Sequence, residues 1–135
     1  SLYMSEAESE LIEQYWHRVG GTLIEEFPAV RPGDNNGRRR VDAVIIKTEE
    51  KKRLEPYSEV SLKEKDVIIV QCKTNRLGMY LMGQAYFSMH LIERHEPASV
   101  QSVALCGQID SVLKPIFESY PNCEVVILNK DEDAL

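Results

Sequence analysis

The sequence contains no apolar run approaching the roughly 18 to 20 residues that a membrane-spanning helix needs, and no signal-peptide pattern opens it. It has only three cysteines, Cys72, Cys106 and Cys123, with no CxxC pair and no cysteine–histidine spacing of the kind zinc requires. They read as reduced core cysteines, which predicts a cytoplasmic protein. Positive charge is scarce as well: 16 lysines and arginines face 22 acids, for a net charge of −6. That balance excludes a protein coated in positive charge to hold nucleic acid. There is no internal repeat, low-complexity segment or linker, so the 135 residues predict one domain, 1–135, with its own hydrophobic core.

The scarce positive charge is unevenly placed. Residues 31–76 hold 12 of the 16 lysines and arginines but only 8 of the 22 acids, a local +4 against −10 elsewhere. A polyanion would meet that local field rather than the average, although a solvated basic loop explains it equally well.

Along the chain, Glu6 to Val19 reads as a helix, with Ser5 as N-cap, Ser5–Glu8 as a capping box and Gly20-Gly21 as its stop. Its apolar stripe is Leu11, Ile12, Tyr15, Trp16 and Val19. Strands are predicted at Thr22–Val30, Arg40–Lys47, the run KDVIIVQCKT (65–74), Val100–Cys106 and Glu124–Asn129. Helices are predicted at Leu77–Arg94 and Ser111–Tyr120. Residues 48–64 look like a long exposed excursion, and the tail 130–135 like a frayed end. The order α-β-β-β-α-β-α-β implies an α/β fold, with a mixed sheet flanked by helices.

Several polar groups sit where this patterning calls for apolar ones. Asp42 interrupts a buried-looking strand, and an unpaired carboxylate there is costly. Gln71 and Lys73 end the next strand, where a two-residue period points both at one face. Glu8 lies on the apolar stripe of the first helix, with Glu10 as a reserve, and Gln84 shares a face with Leu77, Tyr80, Leu81 and Leu91. Each has a bland reading: lysine stems snorkel, helix-start glutamates favour the dipole, and Asp42 can be neutralised by Arg38 or Arg40. Together they suggest convergence on one divalent cation, Mg²⁺ or Mn²⁺. Asp42, the Gln71 side-chain oxygen and the Cys72 carbonyl would be ligands, with Glu8 acting through water. Lys73 would orient or deprotonate the attacking water, or stabilise charge growing on a phosphate.

Glu8, Val41-Asp42-Ala43 and Val70-Gln71-Cys72-Lys73, in this element order, resemble the PD-(D/E)xK nuclease superfamily and its restriction-endonuclease-like fold. The resemblance spans roughly residues 6–106. The first-helix segment Ala7–Ile12 is most similar to the Holliday-junction resolvase branch, and Gln84 to the helix glutamine of RecB-like members. Val41 stands where the name has proline, and Gln71 where it has an acid, a Gln-x-Lys variant resembling Mrr-like enzymes. The resemblance implies an α-β-β-β-α-β core with an extra C-terminal α-β, and catalytic residues Glu8, Asp42, Gln71, Lys73 and Gln84. It implies Mg²⁺-dependent hydrolysis of phosphodiesters in DNA, RNA being the lesser expectation. Arg38, Arg39, Arg40, Lys51, Lys52, Arg53 and Arg76 would then form the nucleic-acid-binding face.

The competing expectations are a non-catalytic relative that binds nucleic acid or a protein, and an unrelated domain with a buried Asp42–Lys73 salt bridge. The helix 77–94 is apolar nearly all round, which predicts either a homodimer through it or cover from the 107–120 segment.

Overall fold

The computed structural model describes residues 4–129, so Ser1–Tyr3 and the tail 130–135, expected to fray, lie outside the described residues. The first helix, α1 (Glu6–Val19), begins at a complete capping box. Glu8 donates its backbone N–H to Ser5 Oγ at 3.1 Å, and the Glu8 carboxylate accepts the Ser5 N–H at 2.9 Å. Gly20 ends the helix with a φ of 72°. Gly21 follows at φ 83°, and a Cβ there would lie 2.6 Å from the Ile46 carbonyl oxygen, so the turn into the sheet demands glycine.

The strands are β1 (Thr22–Val30), β2 (Arg39–Ile46), β3 (Lys52–Arg53), β4 (Asp66–Cys72), β5 (Ser99–Cys106) and β6 (Cys123–Ile127). Helices α2 (Met79–Glu93) and α3 (Leu113–Glu118) flank β5 in sequence. They build one six-stranded mixed sheet in the order β3-β1-β2-β4-β5-β6. The β1–β2 and β2–β4 pairs are antiparallel, whereas β4–β5 and β5–β6 are parallel, as crossovers through α2 and α3 require. The expected α/β architecture is therefore present.

The excursion at 48–64 is largely exposed, as expected, but it is not free of structure. Lys52–Arg53 pairs in parallel with the start of β1, Leu62 is buried, and Leu54 and Val60 pack against the core. Two residues of pairing leave no periodicity to read, which is why the segment looks like loop in sequence.

The sheet separates two cores. Leu11, Ile12, Tyr15 and Trp16 of α1 cover Leu23, Ala43, Ile45, Ile68, Val70 and Cys72. Leu81, Ala85, Met89 and Ile92 of α2 cover the other face, with Ile24, Val44, Val67 and Ile69. Each fully buried Ile, Leu or Phe contributes on the order of 1.5–3 kcal/mol relative to exposure. Two such cores can carry a few costly polar groups at one end of the sheet. Among the described residues no helix is long and apolar enough to cross a membrane.

The alternation of β1 and β2 slips at one level. Glu26 takes a left-handed φ of 53°, and the ladder passes from Glu25↔Ala43 to Phe27↔Val41 without pairing Glu26 to Asp42. Ile24 and Phe27 share one core, as do Val44 and Val41, although each pair is three residues apart. Unbroken alternation would set Asp42 on the α2 face with Val44 and Ile46. The slip brings it instead into the electrostatic reach of Glu8 on α1.

Candidate functional site

The site lies where β2 and β4 end their regular pairing. Their last rung there is Ala43↔Val70, and beyond it side chains replace the ladder. Cys72 donates its backbone N–H to Asp42 Oδ2 at 2.9 Å, and Asp42 donates its own N–H to Gln71 Oε1 at 3.0 Å. Gln71 Nε2 donates to Ser88 Oγ at 2.9 Å, which fastens the strand end to α2. Lys73 Nζ stands 3.9 Å from Glu8 Oε2 and 5.8 Å from the centre of the Tyr80 ring. Glu8, Asp42, Gln71 and Lys73 are thus brought to one end of the sheet.

Three expectations need correction. Gln71 and Lys73 do not share a face. Strand β4 ends at Cys72, and Lys73 bonds its backbone N–H to Leu105 O, so its side chain leaves the pleat and reaches α1 while Gln71 points into α2. The Gln71 amide oxygen, expected on a cation, is bonded to the Asp42 backbone. A neutral amide between two polar partners satisfies its own hydrogen bonds first. The Asp42–Lys73 salt bridge of the third expectation is also replaced, because the lysine's carboxylate partner is Glu8.

The electrostatics are those of a site short of positive charge. Burial, with the nearby Glu8 and Glu26 carboxylates, pushes the Asp42 carboxyl up to about 6 from 3.8, against the Cys72 N–H and Lys73. Burial likewise raises Glu26, opposed by the Met4 N–H and the Arg40 charge. Cys72 is raised far above the ordinary thiol range by burial and by Asp42, so it remains a protonated core residue. All three cysteines are buried and free.

Glu26 is the site residue that pattern reading missed. It is buried, it accepts the Met4 N–H at 3.3 Å, and its charge bears on Asp42. The available signal was the Glu25-Glu26 pair inside an apolar strand, where strict alternation would turn one acid toward each face of the sheet. Ser88, buried on α2, was visible only as a polar position on a helix face. Gln84 lies half-buried on α2, one turn beyond Tyr80.

A divalent cation fits the charge of this cluster better than its geometry. Glu8, Asp42 and Glu26 outnumber Lys73 and Arg40, and the Glu8 and Glu26 charges add to the burial that chiefly raises Asp42. Yet among the described residues no group of three or more His, Cys, Asp or Glu side chains is arranged to hold a metal ion. The fit therefore rests on Asp42 and Glu8, without the Gln71 side chain.

The seven basic residues do not form one surface. Arg39 and Arg40 pair with the last residues of β1, whereas Lys52 and Arg53 pair with its first. Arg53 is bonded to Glu25 at 3.0 Å, Lys51 contacts His17, and both lie over the Trp16 ring. Arg76 donates to Ile109 O at 3.0 Å. Arg38 is exposed, and Arg40 stacks on Tyr57 while lowering Glu26, so of the hairpin arginines Arg40 acts on the site. A separate cleft of about 1180 Å³ is lined by Arg31, Arg39, Arg94 and His95, and includes none of Glu8, Asp42, Gln71 or Lys73.

The second side of α2 is partly covered. Tyr86 packs edge-on against Tyr120 and Met89 is buried, while Met79, Tyr80 and Phe87 remain exposed. No family model, curated protein or solved structure matches this chain.

Proposed function

We propose that the chain is a divalent-cation-dependent nuclease that hydrolyses phosphodiester bonds, in DNA before RNA, at the Glu8–Asp42–Lys73 end of the sheet. The observation that carries the reading is the buried, charge-deficient carboxylate cluster around Asp42, with a single ammonium group beside it. Mg²⁺ or Mn²⁺ would be held by Asp42 and Glu8, with the Cys72 carbonyl. It would supply positive charge against the phosphate oxygens and acidify water. Lys73, half-exposed, would donate to the phosphate and stabilise the charge that develops on it. Gln71 positions Asp42 instead of binding the cation. Three unpaired buried cysteines support a reducing, cytoplasmic setting.

A second reading, a non-catalytic relative that binds nucleic acid or protein, is favoured by the Gln71 amide being committed to Asp42 and Ser88. A supercoiled-plasmid nicking assay with Mg²⁺ or Mn²⁺ separates the two. Nicking should fall by roughly 100-fold or more in Lys73→Ala and Asp42→Asn, with circular dichroism unchanged. Cleavage that survives both substitutions removes this site, and a wild type that neither nicks nor binds either cation favours the binding module.

A further inference from the structure

We propose that the stripe Tyr80–Gln84–Phe87 on α2 is a stacking platform for unpaired bases, so that the strand presented to Lys73 is single-stranded. The position of the phosphate rests on the nuclease reading above; the base-binding surface does not. Tyr80 is 70% and Phe87 67% exposed, values far from the buried norm for large aromatics. Positions 80, 84 and 87 recur at helical spacing and therefore share one face. Seven residues of helix separate the two rings by about 10 Å, the reach of one to two extended nucleotides. Gln84, half-buried between them, offers a donor and an acceptor to a base edge.

Charge selects the occupant. The Tyr80 ring lies 5.8 Å from the Lys73 ammonium, so a phosphate bonded to Lys73 puts its neighbouring base within reach of that ring. Arg76, exposed and tethered through Ile109 O, adds a second cation four residues before Tyr80. Cations beside exposed aromatic rings suit single-stranded nucleic acid, in which each base has a free π-face. In a duplex those faces are stacked inside, and a continuous basic surface would be needed outside. Here the basic residues are divided between the two ends of β1. A second copy of the chain would cover the rings but would leave the Lys73–Tyr80 adjacency without a role.

The test is fluorescence anisotropy of labelled oligothymidylate and of a blunt duplex of equal length, at low salt with EDTA. Wild type should bind the single strand more tightly than the duplex. Tyr80→Ala and Phe87→Ala should each weaken single-strand binding by about fivefold or more, with duplex binding unchanged and Tyr80→Phe close to wild type. Equal affinity for both nucleic acids, or alanine variants that bind oligothymidylate as wild type does, overturns the proposal. Sedimentation of the same proteins covers the other occupant: a wild-type dimer that Phe87→Ala dissociates, with oligonucleotide affinity unaltered, assigns the face to self-association. Because EDTA removes the cation, failure of the plasmid assay leaves this binding result standing, and the converse also holds.

Discussion

Gln71 and Asp42 face each other one step past the last regular rung between β4 and β2, and the Gln71 amide oxygen accepts the Asp42 backbone N–H at 3.0 Å. A side chain thus continues a ladder that the backbone has left. Gln71→Leu should cost about 1–3 kcal/mol in urea unfolding, since it strands the Asp42 N–H and the Ser88 hydroxyl. Gln71→Glu retains both contacts, because Ser88 can turn to donate. It also adds an anion beside Asp42, so calorimetry should show tighter Mn²⁺ binding than wild type. Weaker binding would mean that the cation does not sit there.

Asp42 gives the fold a pH dependence of predictable sign. Its folded pKa of about 6 exceeds the ordinary 3.8, so between about pH 4 and 6 the folded chain retains a proton that the unfolded chain has released. Stability therefore falls as pH rises through that window, by on the order of 1–3 kcal/mol. Asp42→Asn keeps an oxygen for the Cys72 N–H and never ionises. It should match wild type near pH 4 and be more stable near pH 7 by that amount, while nicking is lost. Urea melts at the two pH values decide this; a variant less stable at pH 7 contradicts the charge argument.

Glu8 serves the helix cap with one oxygen and faces Lys73 with the other. Glu8→Gln preserves the capping box, so thermal unfolding should shift by no more than about 0.5 kcal/mol, whereas Glu8→Ala should cost about 1 kcal/mol. Both should impair nicking alike. Activity that follows stability across the pair, with Gln near wild type, would assign Glu8 a structural role only.

The left-handed φ at Glu26 predicts an inverted substitution order. Glycine carries no penalty there, so Glu26→Gly should be more stable than Glu26→Ala by about 1 kcal/mol despite its greater backbone freedom. At Gly21, alanine meets both a φ of 83° and the Ile46 oxygen, and should cost more than 1 kcal/mol. Denaturation midpoints of the three variants check both statements.

The helix α1, its Ser5 cap and the glycine stop are legible because each depends on residues within four positions of one another. The main strands are legible from β-branched runs. Glu8, Asp42 and Lys73 stand out as polar groups in apolar company, and the structure brings them together. The fate of Gln71 is not legible, because it depends on Ser88, a turn of helix folded back from later in the chain. The slip that reorients Asp42 is equally silent, since a left-handed glutamate leaves no compositional mark beyond its acidic neighbour Glu25. The separation of the basic residues follows from pairing to opposite ends of β1, a distance that sequence order compresses.

Lys73 has its main-chain nitrogen hooked to Leu105, so the lysine's height above the sheet is inherited from β5 and not from the strand that precedes it. Removing one residue between Val100 and Leu105 would move that hook a full step and draw the ammonium out of line with Glu8, even if every named side chain survived. Lengthening the chain at the exposed 49–51 stretch should leave the alignment intact. Tolerance to insertion and deletion, mapped along the chain, should therefore show its sharpest intolerance in a strand that contributes none of the polar groups.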